Sequence, residues 1–196
     1  MSLETSTITT PIGPLTLVAS DGVLRAASFT DRPDEVHARM GPDAREQELR
    51  RTGDLGPIAD ALRAYFDGEV HAIENLPVEQ AGNTWFQSAW KVMREVPAGS
   101  SISYRELAAR VSDPSNARAA GFACARNQVV LVVPCHRIVR TDGSLGDYYY
   151  GLDVKRWLLR HEGMDDLGLP FEGDPPKAMA SAEARQAART RRHAGH

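Results

Sequence analysis

Residues 129–137 are Val129-Val130-Leu131-Val132-Val133-Pro134-Cys135-His136-Arg137. They form an unbroken apolar run that ends beside a cysteine and a histidine. A short apolar run between polar residues and a proline predicts a buried strand or extended segment. The thiolate is the reactive form of cysteine and a neighbouring base favours it, so the pair is a candidate for an activated nucleophile. A packed, inert core cysteine is the alternative that the pair alone leaves open.

The composition is that of a globular protein. With 196 residues, 42% hydrophobic and 25% charged, the chain suits one large domain or two small ones. Its two cysteines, Cys124 and Cys135, form neither a disulfide framework nor a compact Cys/His cluster, so we expect no metal and no cofactor. The sequence has no membrane-length apolar stretch and no signal pattern, so we expect a cytoplasmic protein.

Charge is distributed unevenly along the chain. Residues 1–82 carry seven Lys/Arg against fourteen Asp/Glu, whereas residues 83–164 carry eleven against seven. A basic second half is expected where only that half meets a polyanion such as nucleic acid, although ordinary solvated surfaces also differ in this way.

The first half of the chain alternates in the manner of a β meander. Three short β segments are predicted at Thr5–Thr10, Leu15–Ser20 and Val23–Phe29. Residues 31–54 are polar and are predicted to be irregular. Apolar residues then recur at helical spacing over 58–66, before Gly68, and residues 70–82 are predicted to be an extended linker.

The second half contains repeated helix-start signals. A capping box at Thr84 precedes a helix that runs to Pro97, and a second box at Ser103 starts a helix over Tyr104–Val111. Asp113, followed by proline, starts a third helix. Two short helices joined by a tight turn predict a helix-turn-helix.

The third helix has an unusual composition. One long cation, Arg118, lies among the small residues Ala117, Ala119, Ala120 and Gly121. Small side chains permit close approach, either to another helix or to an external partner, and this stretch alone leaves both possibilities open.

A series of motifs continues through residues 83–164 in fixed order: Ser103-Tyr104, Arg118-Ala119-Ala120-Gly121, Asn127, Pro134-Cys135-His136-Arg137, Asp142-Gly143-Ser144-Leu145, Gly151-Leu152 and Lys155-Arg156-Trp157-Leu158-Leu159-Arg160-His161-Glu162-Gly163. In order and spacing they closely resemble the catalytic domain of the O6-alkylguanine-DNA alkyltransferases, or methylated-DNA–protein-cysteine methyltransferases. Residues 11–15 and 64–68 are similar to the smaller domain of that family, and only the tail lies outside the resemblance.

The resemblance implies an α/β (α+β) protein. Residues 1–82 would form a small N-terminal α/β domain with a short antiparallel sheet, followed by its linker. Residues 83–164 would form a mainly helical, winged-helix-like catalytic domain that contains the helix-turn-helix. Residues 165–196 would be a flexible tail, in which 180–192 is a candidate helix.

The resemblance also implies DNA repair by direct reversal. Cys135 would take the alkyl group from O6 of guanine, with O4-alkylthymine as a second candidate substrate. His136 would draw the thiol proton through a water molecule, and Glu162 would orient the histidine. Asn127 would tie the third helix to the active-site segment, and Tyr104 would donate to N3 of the guanine. Because the thioether is not reversed, each molecule would react once.

Access to the base implies a second set of residues. The damaged nucleotide would be rotated out of duplex DNA, with the third helix in the minor groove and Arg118 entering the stack. We expect little sequence specificity and a monomer. The DNA-binding residues implied are Ser115, Ala117, Arg118, Ala119, Gly121 and Arg126.

The chain departs from the family pattern beside the expected pocket. The substrate-binding residues implied are Tyr104, Ile138, Tyr148, Tyr149 and Tyr150. Tyr149 and Tyr150 stand where relatives usually have small residues, so we expect a narrow pocket that accepts methyl and reacts poorly with bulky adducts. An aromatic ring that swings out onto DNA is the alternative. Gln128 replaces a usual proline and is expected to loosen the turn after Asn127.

Two other functions stay open at this point. One is a non-enzymatic protein that recognises alkylation lesions; such relatives replace the reactive cysteine, usually with tryptophan, so Cys135 argues against this class. The other is an alkyl acceptor for a non-DNA substrate, which the unusual tyrosines permit and Arg118 makes less favourable.

Overall fold

Strands dominate the first part of the chain and helices the second. The computed structural model describes residues 2–164 and 175–178. The strands are β1 Leu3–Thr10, β2 Gly13–Ser20, β3 Val23–Phe29, β4 Leu49–Arg51, β5 Ile102–Ser103 and β6 Ile138–Val139. The helices are α1 Pro33–Arg39, α2 Pro42–Arg45, α3 Pro57–Phe66, α4 Thr84–Glu95, α5 Tyr104–Val111, α6 Ala117–Arg126 and α7 Leu152–His161.

The tail predictions fall almost wholly outside the described ranges. The candidate helix over 180–192 lies outside them, and of the expected flexible tail only residues 175–178 are described. There the N–H of the buried Ala178 donates to the carbonyl of Ile12 at 2.7 Å, beside the β1–β2 turn.

The predicted β meander is confirmed. The sheet has the strand order β3-β2-β1-β4, with antiparallel β1–β2 and β2–β3 pairs. Asp21 (φ 51) and Gly22 (φ 76) form the two-residue turn between β2 and β3, where positive φ matches the twist of the strands. The short β4 pairs with β1 in parallel, so the sheet is not wholly antiparallel.

Both faces of the sheet are covered. One face packs residues such as Leu17 and Phe29 into the main core with α3, and the other packs Val18 against Val36 and Met40 of the α1 region. The prediction that 31–54 is irregular is therefore wrong. The helix α1 buries only Pro33 and Val36, too few residues to give a visible apolar period.

Residues 70–82 do not form a free linker. The backbone of Leu24 in β3 exchanges hydrogen bonds with Pro77 and Glu79 at 2.9 and 3.0 Å. Ile73 and Gln80 are buried. The segment thus continues the sheet at its β3 edge, because unpaired edge groups need hydrogen-bond partners.

The helix starts follow the predicted caps with two corrections. Asn83, not Thr84, caps α4 by accepting the N–H of Phe86 at 2.8 Å. Ser103 caps α5 as predicted and accepts the N–H of Glu106 at 3.0 Å. Asp113 does accept the N–H of Ser115, at 2.7 Å, but residues 114–116 form a 3₁₀ turn. The third helix, α6, therefore begins at Ala117.

The helices α5 and α6 pack as the predicted helix-turn-helix. Leu107 of α5 and two small residues of α6, Ala120 and Ala123, are fully buried between them. The indole N–H of Trp90 in α4 donates to the carbonyl of Ala123 at 2.9 Å. The mixed α/β fold expected from the sequence is thus present, with a small sheet followed by a helical part.

The apolar run at 129–133 is buried, but it is a turn rather than a strand. Only Val129 makes a bridge, to Ala27 of β3, and Leu131 has a left-handed φ of 73°. The side chain of Asn127 closes the turn: its oxygen accepts the N–H of Val129 and its nitrogen donates to the carbonyl of Val133. A side-chain amide thus supplies the hydrogen bonds that a strand partner would give.

Tyr150 connects the loop before α7 to the sheet. Its hydroxyl lies 2.8 Å from the hydroxyl of Ser28, and its ring meets that of Phe29 edge-on with centroids 5.1 Å apart.

None of the helices within the described ranges is long and apolar enough to span a membrane.

Removal of the Tyr150 hydroxyl tests this connection. We expect Tyr150→Phe to lower the free energy of unfolding by about 1 kcal/mol, because a buried hydrogen bond is lost. Ser28→Ala should cost a similar amount, and the double variant should cost little more than either single one, as measured by urea denaturation. Fully additive losses would contradict the contact.

Candidate functional site

The Cys135 thiol lies at the end of the buried turn. Cys135 begins a 3₁₀ turn, is 6% exposed, and its Sγ accepts a hydrogen bond from Nδ2 of Asn127 at 3.3 Å. Burial raises the pKa of the thiol, although the Asn127 hydrogen bond and the charge of Lys155 oppose that effect. Without a further base, the resting thiol is therefore protonated at neutral pH.

His136 follows the thiol and is fully buried. Its Nε2 lies 2.8 Å from Oε1 of Glu162. Burial lowers the pKa of His136, partly offset by the Glu162 carboxylate, so the ring is neutral at pH 7. A neutral ring that donates through Nε2 carries its lone pair on Nδ1, which makes no hydrogen bond to any described residue. That nitrogen is the basic position of the site.

Glu162 has two further partners that the sequence analysis missed. Arg137 donates through Nε to Oε2 at 2.8 Å and through Nη2 to Oε1 at 2.9 Å, and the hydroxyl of Tyr65 in α3 donates to Oε1 at 2.8 Å. Burial would raise the pKa of Glu162, but His136 and Arg137 outweigh burial and hold it well below its usual range. Because His136 is neutral, Arg137 is the charge that keeps this carboxyl ionised.

The signal for these contacts in the sequence is weak. Arg137 lies inside the Pro134–Arg137 motif and Tyr65 lies inside the motif at 64–68, but neither motif indicates the partner of its polar side chain. Arg137 lies two residues from a cysteine that is expected to be buried, so the arginine is expected to be buried as well. Because a buried cation needs a carboxylate partner, this reasoning could have predicted the ion pair with Glu162.

Tyr104, at the first turn of α5, is partly buried beside Gly146. A methyl group on Gly146, where φ is 69°, would lie only 3.1–3.2 Å from the ring and hydroxyl of Tyr104. Burial raises the pKa of Tyr104, and the Cys124 and Cys135 thiols contribute to the shift. The phenol therefore stays protonated at neutral pH and can donate a hydrogen bond.

Lys155 of α7 holds the strand and loop that follow the thiol. Its Nζ donates to the carbonyls of Ile138, at 2.6 Å, and Leu145. Burial lowers the pKa of Lys155 to about 8, so the group is still mostly charged at pH 7. This cation favours the Cys135 thiolate. Ile138, expected to bind substrate, is a fully buried residue of β6.

The three consecutive tyrosines have different surroundings. Tyr148 is partly buried, and its hydroxyl, which is buried, makes no hydrogen bond to the described residues. Tyr150 packs on β3, and Tyr149 is 42% exposed, with the Arg39 guanidinium 4.7 Å from its ring centroid. The last two thus contact the N-terminal sheet and α1. Their expected part in the wall of the alkyl pocket stays a prediction.

Gln128 does not loosen the turn after Asn127, contrary to expectation. Its N–H donates to Oε1 of Gln80 at 2.7 Å, and its side chain donates to the carbonyl of Arg39 at 3.0 Å. A proline could make neither bond, so this turn has more hydrogen bonds than a proline would allow.

The expected DNA-binding residues lie on the 3₁₀ turn and on α6. Ser115, Arg118 and Arg126 are exposed, whereas Ala117, Ala119 and Gly121 are half-buried. Ala120, grouped with the small surface residues in the sequence, instead packs inside. Phe122, which the sequence analysis did not single out, is 56% exposed one turn beyond Arg118.

The small residue at Gly121 is not required by internal packing. A methyl group at this position would meet no described atom within 4 Å. The site thus combines a helix whose surface admits close approach with a buried thiol, base and carboxylate. Among the described residues, no cluster of three or more His, Cys, Asp and Glu could hold a metal ion.

A helix-turn-helix joined to a buried Cys-His-Glu arrangement defines a class of DNA-binding protein with a reactive thiol. Known family models match nearly all of the described chain. The 6-O-methylguanine DNA methyltransferase ribonuclease-like domain matches residues 3–80, and the DNA binding domain of the same family matches residues 84–164. The chain therefore belongs to the 6-O-methylguanine DNA methyltransferase family.

Individual relatives agree with this assignment. The methylated-DNA–protein-cysteine methyltransferases of Shigella flexneri and Mycobacterium tuberculosis are 34% and 35% identical over 159 residues, which is 80% of this chain and 93% and 90% of theirs. A crystal structure of Mycobacterium tuberculosis OGT in complex with DNA superposes with a TM-score of 0.68 at 30% identity, covering 83% of this chain and 92% of that one.

Substitution of Arg137 tests the origin of the Glu162 charge. We expect Arg137→Met to lower the free energy of unfolding by about 3 kcal/mol at pH 7, because it leaves a buried carboxylate without its cation. The depressed pKa of Glu162 stabilises the wild type above the ordinary carboxyl pKa of 4.5. The difference between the two proteins should therefore shrink as the pH falls through the carboxyl range.

The control for this experiment is Arg140→Met, which changes an exposed arginine three residues away. It should change stability by less than about 0.5 kcal/mol at every pH. Urea denaturation between about pH 2.5 and pH 8 measures both variants, so that the carboxyl range is covered. A loss in Arg137→Met that does not vary with pH would contradict the assignment of the charge.

Proposed function

We propose that this protein repairs O6-methylguanine in DNA by transferring the methyl group to Cys135, which is used once. The observation that carries the proposal is the Cys135 thiol beside a neutral imidazole whose second nitrogen is fixed by Glu162. Family membership gives the reaction, and this geometry supports Cys135 as the acceptor.

In the proposed reaction, the thiol proton passes to Nδ1 of His136 through a water molecule. The sulfur electron pair forms a bond to the methyl carbon as the bond between that carbon and O6 breaks. The C–O6 electron pair stays with the guanine, which takes a proton from solvent and leaves as the normal base, while the imidazolium returns the former thiol proton to solvent. Glu162 stabilises the imidazolium that forms, because its carboxylate stays ionised beside the ring. The charge of Arg137 itself disfavours the imidazolium, so Arg137 acts only by keeping Glu162 ionised.

The leaving base and the thiolate each need a hydrogen-bond donor. We assign the first role to Tyr104, whose raised pKa keeps it protonated so that it can donate to N3 of the guanine. We assign the second to Asn127, whose Nδ2 already donates to Sγ. Tyr148, with a buried hydroxyl that lacks a described partner, is a candidate to contact the purine.

The DNA-binding surface proposed is the 3₁₀ turn and the outer face of α6. The family DNA-binding domain covers this surface. We propose that α6 enters the minor groove and that Arg118 takes the place of the extruded base, since Gly121 leaves room for close approach. Binding through backbone phosphates would give little sequence specificity, and we propose that a monomer suffices.

Three further expectations belong to this proposal. We propose two functional parts, residues 1–82 and 83–164. Because the substrate is DNA, we propose a cytoplasmic, DNA-associated location. The loop at Tyr148–Tyr150 should favour methyl over bulky adducts.

A lesion-recognition role without transfer is disfavoured, since Cys135 is retained.

The proposed acceptor can be identified by intact mass. We expect incubation with duplex DNA containing O6-methylguanine to add one methyl group to the wild-type chain and none to Cys135→Ala, because the thiol is the nucleophile. Cys124→Ala removes the other cysteine and should still gain the methyl group. An undiminished gain in Cys135→Ala, or none in the wild type, would refute the proposal.

The role of Arg118 can be tested by comparing duplex and single-stranded substrates. We expect Arg118→Ala to slow transfer from the duplex about tenfold, equivalent to about 1.4 kcal/mol of barrier, because the extruded base returns to the stack more readily. Transfer from a single strand should slow less. Single-turnover rates measure both substrates, with Arg50→Ala, at an exposed site on β4, as the control. Equal slowing on both substrates would contradict the role.

A further inference from the structure

A second side-chain amide lies behind Asn127. Gln80 is 7% exposed and belongs to the segment 70–82, outside every motif that carries the family resemblance. Its Nε2 donates to Oδ1 of Asn127 at 3.1 Å, and its Oε1 accepts the N–H of Gln128 at 2.7 Å. A side chain from the segment before α4 thus contacts the side chain that donates to the thiol.

The orientation of both amides follows from fixed backbone donors. The N–H of Gln128 can only donate, so Oε1 of Gln80 faces it and Nε2 faces Asn127. Oδ1 of Asn127 also accepts the N–H of Val129 at 3.0 Å. Both hydrogens of the Asn127 nitrogen are therefore directed away, to the carbonyl of Val133 at 2.7 Å and to Sγ of Cys135 at 3.3 Å.

This arrangement affects the strength of the last hydrogen bond as well as its direction. An amide whose oxygen accepts two hydrogen bonds is polarised, and its N–H groups become better donors. A better donor favours the charged form of its acceptor, which here is the thiolate. Gln80 contributes one of the two bonds to that oxygen, and the buried surroundings strengthen both.

We propose that Gln80 is a positioning residue for methyl transfer, which acts through Asn127 to direct and strengthen the hydrogen bond that stabilises the Cys135 thiolate. The inference rests on the proposed function only in taking Cys135 as the acceptor. It explains why the turn after Asn127 carries a residue other than proline: the backbone N–H of residue 128 orients Gln80, and proline has no N–H to do so.

The test compares Gln80→Met and Gln80→Glu in a Cys124→Ala background, where Cys135 is the only thiol. Methionine keeps the shape and removes both hydrogen bonds. Glutamate still accepts from Gln128 but, when ionised, cannot donate to Asn127. The matched control is Gln87→Met, because Gln87 donates to the backbone carbonyl of Gln80 at 2.7 Å and has no hydrogen bond to Asn127.

Two pH profiles are measured on the full chain: the rate of Cys135 alkylation by iodoacetamide, and the single-turnover rate of methyl transfer from duplex DNA containing O6-methylguanine. We expect Gln80→Met to move both midpoints upward by about half a pH unit and to slow transfer at pH 7 about threefold. Gln80→Glu should move them further, because it adds a negative charge near the thiolate. Gln87→Met should leave both midpoints unchanged.

Unchanged midpoints in both Gln80 variants would overturn the proposal, even if the variants were less stable or slower, because a purely structural role would not move the profile. An equal shift in Gln87→Met would overturn it as well. The iodoacetamide profile does not depend on DNA. A wild type that fails to take the methyl group refutes the proposed function, whereas the iodoacetamide profile still decides the role of Gln80.

Discussion

The carboxylate of Glu162 is the group on which the described structure most depends. It accepts hydrogen bonds from the imidazole of His136, from two nitrogens of Arg137 and from the phenol of Tyr65. These donors come from the active-site turn and from α3, while Glu162 itself directly follows α7. A buried charge costs several kcal/mol unless its hydrogen-bonding capacity is filled, so the three elements must meet in one arrangement.

This constraint connects the small sheet domain to the reaction. The N-terminal part contributes Tyr65 to the carboxylate, and the edge of β3 exchanges backbone hydrogen bonds with the turn that carries Cys135. Gln80 adds a third connection through Asn127. The N-terminal part therefore positions the base and the thiol although it contributes neither, and changes in it should affect the reactivity of Cys135 as well as stability.

Sequence patterns predicted most of the elements but few of the polar contacts. The meander, α3 and the helix-turn-helix have apolar periods or caps that extend over enough residues to be recognised. The helix α1 gives no visible apolar period because it buries only two residues. The apolar run at 129–133 predicts a strand or extended segment but forms a turn, because burial alone does not distinguish these structures. Motif order predicted Cys135, His136 and Glu162 as a group, and the structure brings them together.

The partners of that group could not be predicted in the same way. Tyr65 and Gln80 reach the site across 97 and 47 residues of sequence, and a polar side chain gives no local sign of a partner so far away. Tyr150 shows that a position close to the expected pocket in the sequence does not predict the contacts of its side chain either. Its sequence position places it beside the expected pocket, but gives no sign that its hydroxyl is hydrogen-bonded to Ser28 in β3. The position of a residue in the sequence determines which loop it occupies, but packing determines where its side chain points.

The burial of Cys135 suits the proposed single use of its thiol. Burial raises its pKa, so the exposed, reactive thiolate that would meet adventitious electrophiles is scarce in the free protein. Asn127 and Lys155, which oppose the effect of burial on the pKa of the thiol, are themselves fixed by hydrogen bonds. Nδ1 of the neutral His136 has no hydrogen-bond partner among the described residues. The groups that assist deprotonation of the Cys135 thiol are thus in place, but the thiol stays protonated until substrate binds. An acceptor that cannot be regenerated gains from this balance, because each unproductive alkylation would remove one molecule from repair.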